Sequence, residues 1–243
     1  MAKEEKLKRP DGREKEELRK IEAKVGVIKR ADGSAMFTFG GSTAIAAVYG
    51  PRTLHPQHLQ DPETGVLRCY YDMTTFSVSE RKRPGPNRRA NEISFVTTKA
   101  LQPAIQIENF PNTAVDCYIM ILQADASTRC AGINAASLAL ANAGVPMKEL
   151  VSAVSIGKTG DHLVVDVSKE EEDFTVMKDG KEIKAATDIP FAILSRSEKI
   201  SLLQLDGKIN SEDLKEAIEL AKRACKKIAE IQKKALKKVK DEA

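Results

Sequence analysis

The order of the predicted elements along the chain indicates an α+β fold, because strands and helices occur in separate runs and do not alternate strictly. Short apolar stretches bounded by glycine and proline predict strands in both halves of the chain. The C-terminal segment instead repeats apolar residues at helical spacing. No Gly/Ser-rich linker divides the 243 residues, so we expect a single domain over residues 9–243 after a charged extension over residues 1–8.

The first part of the chain is predicted to contain strands and one helix. The turn signal Ala31-Asp32-Gly33 separates the first two strands, and Gly40-Gly41 turns the chain into a third, buried strand. A long polar loop is expected over residues 52–65. The predicted strands are 25–28, 36–39, 43–49 and 67–76, and the predicted helix is 88–101.

The second part begins with another buried strand over residues 114–122, which leads into an alanine-rich helix that Gly144 and Pro146 terminate. Hairpins are predicted over residues 151–167 and 189–205. A long helix is expected from about Ser211, with lysines on the face opposite its apolar residues. Those apolar residues are Leu214, Ile218, Ala221, Cys225, Ile228, Ile231, Ala235 and Val239.

Composition excludes several classes of protein. No apolar run reaches the length of a bilayer-spanning helix, and the charged N-terminus has no signal-peptide core, so we expect a cytoplasmic protein without a membrane partner. The four cysteines form no C-x-x-C pair, which predicts reduced, buried thiols. The net charge of +4 comes from the basic C-terminal helix. From Ala221 onward the chain contains nine Lys and Arg but only three Asp and Glu. Charge alone therefore locates no nucleic-acid groove.

A basic segment precedes the predicted helix at Arg88. Residues 81–89 contain five Lys and Arg and no acid. Because arginine forks match phosphate oxygens, the segment is a candidate site for phosphate or RNA. The alternative is a solvated basic loop.

The turn Asp125-Ala126-Ser127-Thr128-Arg129 joins a buried strand to a helix. The free N–H groups and the positive dipole end of a helix start favour an anion, and two hydroxyls and an arginine add donors. An ordinary N-cap is the alternative interpretation.

Carboxylates are concentrated at Asp166, Glu170-Glu171-Glu172-Asp173 and Asp188. Acids next to a strand can hold Mg²⁺ together with a substrate phosphate, although a solvated acidic loop has the same composition. The histidines match no metal or triad spacing; His58 lies in a polar loop that could touch RNA.

Several segments in a fixed order carry a family resemblance. They are Arg9-Pro10-Asp11-Gly12-Arg13 with Glu17-Leu18-Arg19, residues 41–51, residues 73–86, Leu122-Gln123-Ala124-Asp125 with Arg129, Asn134-Ala135-Ala136-Ser137, and Ala143-Gly144-Val145-Pro146-Met147. In this order they resemble the RNase PH family, and within it the catalytic subunit of archaeal exosomes. Motifs in series over nearly the whole chain are far more specific than any one of them.

The resemblance implies a duplicated βαβα fold of the ribosomal-S5-like type and a phosphate-dependent 3′→5′ exoribonuclease. Such an enzyme releases nucleoside 5′-diphosphates from the RNA 3′ end and can add 3′ tails in reverse. The implied cofactors are inorganic phosphate as co-substrate and Mg²⁺, or Mn²⁺. The implied partners are a homologous non-catalytic subunit in a hexameric ring and RNA-binding cap subunits. A non-catalytic ring subunit and a simple basic RNA-binding module are the alternatives.

The resemblance also implies residue roles. Asp173 and Asp188 correspond to the acidic pair that binds metal and protonates the leaving 3′ oxygen. Inorganic phosphate is expected at Arg89, Ser127, Thr128 and Arg129. RNA is expected at Arg81, Arg83, Arg88 and Arg89, with His58 added from its loop position.

The sequence departs from the family pattern in its loops. Ser127 stands where the family usually has glycine, and Gln57 stands where relatives have an RNA-contacting arginine. The acidic pair is much closer together in the family than the 15 residues between Asp173 and Asp188. We interpret residues 176–185 as an inserted hairpin; Asp179 and Glu172 remain possible substitutes.

Overall fold

The computed structural model describes residues 9–242 except 81, 86, 160–161, 174, 179–180 and 185. The strands are β1 Ile21–Val25, β2 Gly33–Phe39, β3 Ser42–Thr53, β4 Val66–Met73, β5 Thr113–Gln123, β6 Val151–Thr159, β7 His162–Val165, β8 Thr175–Lys178, β9 Lys181–Lys184, β10 Thr187–Leu194 and β11 Ile200–Leu203. The helices are α1 Arg88–Leu101, α2 Thr128–Asn142, α3 Lys169–Glu172 and α4 Ser211–Glu242.

The strands form two main sheets. The first has the order β1-β2-β3-β5-β4, with β4 parallel to β5 and the other pairs antiparallel. The second has the order β11-β10-β6-β7 and is antiparallel throughout. The strands β8 and β9 pair only with each other among the described residues. In the described part of the chain, the two main sheets and the four α-helices confirm the predicted α+β class.

The helix α2 lies between the two sheets and holds them together. It packs on β2, β3 and β5 of the first sheet and on β6 and β10 of the second. Its alanine-rich sequence allows strands to approach on both sides, because small side chains keep the backbones close. Asn134 fixes the register: its side chain donates to the Ala153 carbonyl at 2.7 Å and accepts from the Ala153 N–H at 3.0 Å. The remaining long helix, α4, covers β6, β7 and β10.

Most predicted elements are found where the sequence placed them, with a few corrections. The helix α1 covers the predicted residues, while the prediction of a first strand over residues 25–28 is wrong, because β1 ends at Val25. There Gly26 takes a φ of +73°, which turns the chain out of the ladder. The strand β3 continues into the expected loop as far as Thr53, and α3 had no counterpart in the prediction. Residues 1–8 lie outside the described residues.

An ion-pair network attaches the N-terminal segment to the second sheet. Arg9 donates to both oxygens of Glu171, at 2.6 and 2.8 Å, and both side chains are buried. Arg19 likewise donates to both carboxylate oxygens of Asp166, from Nε at 3.0 Å and from Nη2 at 2.7 Å. Removing one member of such a pair typically costs about 3–5 kcal/mol, because it leaves a buried charge without its partner. The arginines of the N-terminal motif are therefore structural.

We expect Glu171→Gln to lower the free energy of unfolding at pH 7 by about 3 kcal/mol. Burial raises the pKa of Glu171, but hydrogen bonds from Arg9 and from the Ser168 N–H outweigh it, so the pKa lies below its ordinary 4.5. A carboxyl with a lowered pKa stabilises the fold above that ordinary value, and its contribution disappears as the pH falls through the folded-state pKa. Urea unfolding should therefore separate variant and wild type at pH 7 and bring them together in acid.

The control is Glu216→Gln, which breaks an exposed ion pair with Lys15. It should leave unfolding nearly unchanged at every pH, because exposed pairs contribute little. A Glu171→Gln protein as stable as the wild type at pH 7 would contradict the structural role of this network.

Candidate active site

The turn between β5 and α2 is held in an unusual backbone conformation by Ser42. Ala126 and Ser127 both have left-handed φ angles, 53° and 52°. Such residues are strained by about 1–3 kcal/mol each unless their surroundings fix them. The Ser42 Oγ accepts from the Asp125 N–H at 2.8 Å and donates to the Ala126 carbonyl at 2.6 Å. The strand β3, which begins at Ser42, thus shapes the start of α2.

The side chains of this turn are held by both sheets. Ser127 Oγ lies 2.5 Å from Ser155 Oγ and donates to the Val167 carbonyl at 3.0 Å. Thr128 Oγ1 accepts from the Tyr71 hydroxyl at 3.0 Å. Burial raises the pKa of Tyr71, so its phenol stays protonated as the donor. Because Tyr71 donates, the Thr128 hydroxyl proton is available to an acceptor such as a phosphate oxygen.

Arg129 is held by two residues from other elements. Its Nη1 donates to Gln204 Oε1, and its Nη2 donates to Glu92 Oε2 at 3.2 Å. Gln204 Nε2 in turn donates to Glu92 Oε1 at 2.9 Å. The Arg129 Nε is buried and has no hydrogen-bond partner among the described residues.

The helix α1 presents Arg88 and Arg89 from a fixed position. Asn87 caps the helix by accepting from the Ala90 N–H at 2.8 Å. Further along, Ser94 and Thr98 accept from the N–H groups of Tyr71 and Cys69, at 2.8 and 3.1 Å, on the outer edge of β4. These bonds occupy an edge that would otherwise offer free backbone groups. They also fix α1 against the first sheet, so that its exposed N-terminus faces the start of α2.

An open cavity of about 220 Å³ brings together five of the ten predicted site residues. The predicted residues that line it are Arg89, Ser127, Thr128, Arg129 and Asp188, joined by Lys169 and Glu172. Asp188 is fixed by two backbone bonds of 2.9 Å with Asp206 at the start of β10. The cavity therefore brings the helix-start anion site and a carboxylate from the second sheet to one place.

Other predicted residues lie elsewhere. Asp173 does not line the cavity; it is exposed and pairs with Lys169 at 2.7 Å, whereas its neighbour Glu172 faces the cavity. Arg88 and Arg83 are exposed outside the lining, and His58 is exposed on a short helical turn over Gln57–Leu59. Arg81 and Asp179 lie outside the described residues.

Sequence reasoning missed Tyr71, Glu92, Gln204 and Lys169. Glu92 follows Arg89 by one helical turn, and this spacing could have suggested that it shares the face of the arginine. Gln204 and Tyr71 have no local signature, because the bonds that they make to the turn span 75 and 57 residues. Such long-range contacts exist only in the folded chain.

Comparison with known families gives two matches that together span most of the chain. Residues 17–146 match domain 1 of the 3′ exoribonuclease family, and residues 149–224 match domain 2. The chain belongs to the RNase PH family. A relative from Thermococcus gammatolerans, exosome complex component Rrp41, is 50% identical over 230 residues, which is 95% of this chain and 88% of that protein.

Two solved structures share the fold. Rice (Oryza sativa) Rrp46 superimposes with a TM-score of 0.81 at 24% identity, over 94% of this chain and all of that one. An Archaeoglobus fulgidus exosome with RNA bound to the active site gives a TM-score of 0.76 at 21% identity, over 92% of each chain. Within the part of the RNase PH chain that the structure describes, no helix is long and apolar enough to cross a membrane.

We expect Ser42→Ala to lower the free energy of unfolding by about 1–3 kcal/mol, because it leaves the Asp125 N–H without its acceptor. The matched control is Ser79→Ala, which changes an exposed serine in the loop after β4. Urea unfolding of both variants measures the difference. Equal stability of Ser42→Ala and wild type would show that the turn keeps its shape without this hydroxyl.

Proposed function

We propose that this chain is a phosphorolytic 3′→5′ exoribonuclease, the catalytic subunit of an archaeal exosome ring. The observation that carries the proposal is the convergence of Arg89, Thr128 and Arg129 with Asp188 on one cavity at a helix start. Membership in the 3′ exoribonuclease family supplies the reaction class. The Thermococcus gammatolerans relative, an exosome complex component, supplies the exosome context.

Inorganic phosphate would bind at the start of α2. The Thr128 hydroxyl, the Arg129 guanidinium and the positive end of the helix dipole all favour an anion there. Arg89, across the cavity, adds a charge that would neutralise both this phosphate and the RNA phosphodiester. Phosphoryl transfer needs mainly such positioning and charge neutralisation.

The reaction would be an in-line displacement at the last phosphodiester of RNA. A phosphate oxygen forms a bond to that phosphorus, and the bond from phosphorus to the 3′ oxygen of the preceding nucleotide breaks. The leaving 3′ oxygen takes up the proton that the attacking hydrogen phosphate gives up, and the last nucleotide departs as a nucleoside 5′-diphosphate. One phosphorus–oxygen bond replaces another, so the reverse reaction, which adds 3′ nucleotides from diphosphates, uses the same site.

The carboxylates would act at the leaving oxygen. Asp188 is the rigid member, because its backbone is paired with Asp206 at a strand start. The family resemblance implies Asp173 as its companion, but Glu172 is the neighbour that lines the cavity, so we assign the second role to Glu172. Among the described residues, no group of three or more acids, histidines or cysteines is arranged to hold an ion. Asp188 and Glu172 would hold Mg²⁺, or Mn²⁺, together with oxygens of the substrate phosphate, and the ion would neutralise charge on the reacting groups.

The RNA would leave the cavity along the exposed start of α1. Arg88 lies next to Arg89 but outside the cavity lining, where it can hold an upstream phosphate. Arg83, in the loop before α1, is exposed on the same approach, and Arg81 and His58 are the further contacts that the resemblance and the loop position suggest.

An exposed aromatic patch lies on the outer face of the first sheet. Tyr70 and Tyr118 stack at 4.9 Å there, with 43% and 44% of their surfaces exposed, and Phe95 and Met120 are exposed as well. Apolar patches of this kind typically mark protein interfaces. This supports assembly with the homologous non-catalytic subunit in a hexameric ring, to which RNA-binding cap subunits would add. A purely structural ring subunit, the second candidate, would carry the same patch. An activity assay must therefore distinguish a catalytic subunit from a structural one.

The decisive assay compares RNA degradation with and without phosphate, using the chain alone and the chain mixed with its homologous subunit. We expect diphosphate release only with phosphate, and faster in the mixture. Arg129→Ala should raise the KM for phosphate about tenfold or more, since a charge-assisted hydrogen bond contributes about 1.5–3 kcal/mol. Arg88→Ala should weaken RNA binding instead. Release of nucleoside monophosphates without phosphate, or no release at all, would remove the proposed function.

A second test separates the three carboxylates. In the mixture, Asp188→Asn and Glu172→Gln should each reduce kcat about 100-fold or more, because each loses a charge at the leaving oxygen. Asp173→Asn keeps the cavity intact and should remain close to the wild type. RNA affinity, measured by filter binding, should survive in all three. An inactive Asp173→Asn beside an active Glu172→Gln would restore the acidic pair that the family resemblance implies.

A further inference from the structure

The guanidinium of Arg129 forms a closed ring of three hydrogen bonds with the side chains of Gln204 and Glu92. Arg129 donates to Gln204 and to Glu92, and Gln204 donates to Glu92. Gln204 uses its amide oxygen for one partner and its amide nitrogen for the other, while Glu92 uses a different carboxylate oxygen for each. Every polar atom within the ring therefore faces a complementary atom.

The ring joins three elements beside the cavity, and Arg129 is its member in the cavity lining. Glu92 lies on α1, one turn after Arg89, and Arg129 lies on the first turn of α2. Gln204 follows β11, and its backbone N–H donates to the Pro190 carbonyl at 3.0 Å, two residues beyond Asp188. The ring thus connects α1, which carries Arg88 and Arg89, with the start of α2 and with β10, which carries Asp188.

The ring leaves part of the guanidinium for a ligand. An arginine has five N–H donors, and the ring uses one on each terminal nitrogen. The buried Nε has no hydrogen-bond partner among the described residues. Arg129 lines the cavity, so a guanidinium whose two terminal nitrogens are already held has a defined direction in which to meet an anion there. Without the ring, a long flexible side chain would have to lose its rotamer freedom on binding.

We propose that Glu92 and Gln204 are positioning residues that hold Arg129 in the orientation that binds inorganic phosphate. Neither touches phosphate; both act through Arg129. The proposal rests on the proposed phosphorolytic function and deepens it, because it names the residues that set the affinity of the phosphate site.

Positioning and simple electrostatics predict opposite results for Glu92. Its carboxylate is a negative charge near an anion site, so on charge alone Glu92→Gln should tighten phosphate binding. In the ring, however, Glu92→Gln brings one amide nitrogen against that of Gln204, and the ring opens. Positioning therefore predicts weaker binding.

The test uses Gln204→Leu, Glu92→Gln and the double swap Glu92→Gln with Gln204→Glu. Gln204→Leu breaks the ring without changing charge. The swap keeps the net charge and restores every donor–acceptor pair, because the amide now on α1 can donate to the carboxylate now after β11, while both side chains accept from Arg129. The control is Glu108→Gln, the same chemical change at an exposed acid that pairs with Lys148.

The measurements are KM for phosphate, KM for RNA and kcat in the mixture with the homologous subunit, together with the rise in Tm that phosphate causes in each variant. We expect Gln204→Leu and Glu92→Gln to raise the KM for phosphate about tenfold, with the KM for RNA unchanged. The phosphate-induced rise in Tm should shrink in both, since stabilisation follows ligand affinity. The swap should recover most of the loss, and Glu108→Gln should match the wild type.

The outcomes separate this inference from the function on which it rests. If the wild type shows no phosphate-dependent turnover, the proposed function fails. If the wild type is active and Glu92→Gln lowers the KM for phosphate, Glu92 is a repulsive charge and the positioning role is overturned. An unchanged KM for phosphate in Gln204→Leu, or a swap no better than Glu92→Gln alone, overturns it as well.

Discussion

The buried carboxylate of Asp166 is the interaction on which the arrangement of the site depends. It lies at the end of β7, fully buried, and accepts from the Arg19 backbone N–H at 2.8 Å as well as from the Arg19 guanidinium. The same guanidinium reaches the Asp125 carbonyl at 2.5 Å. One arginine therefore joins the second sheet to the turn before α2, and a buried ion pair keeps that geometry because neither charge can be left alone.

The site exists only when the two sheets are docked. The first sheet supplies the turn at Ser127 and the helix α1, while the second supplies Asp188 and the Val167 carbonyl that Ser127 meets. The helix α2 is packed between both sheets and begins at that junction. Because an interior packed on two sides does not deform gradually, small shifts of one sheet would be transmitted to the anion site. The turn at Ser127 and the carboxylate of Asp188 are thus coupled through packing.

Much of the fold could be predicted from sequence, because strong local signals decide it. The spacing of apolar residues located α1, and the Ser127-Thr128 turn before an alanine-rich helix indicated an anion site. The misplaced first strand has a local cause, a left-handed Gly26 that apolar alternation does not reveal. Tyr71, Glu92 and Gln204 could not be predicted, because each acts through a hydrogen bond to a residue distant in sequence. Spacing also says nothing about which of two neighbouring carboxylates faces a cavity.

The choice between neighbouring carboxylates depends on the phase of a single helical turn. In α3 successive side chains point about 100° apart, so of Glu171, Glu172 and the C-cap residue Asp173 only one faces the cavity. Glu171 fixes the phase: it is buried against Arg9 and accepts from the Ser168 N–H at 2.9 Å, as in a capping box. With Glu171 turned inward, Glu172 faces the cavity and Asp173 faces solvent. The N-terminal Arg9, by pairing with Glu171, therefore determines which of the neighbouring carboxylates faces the cavity.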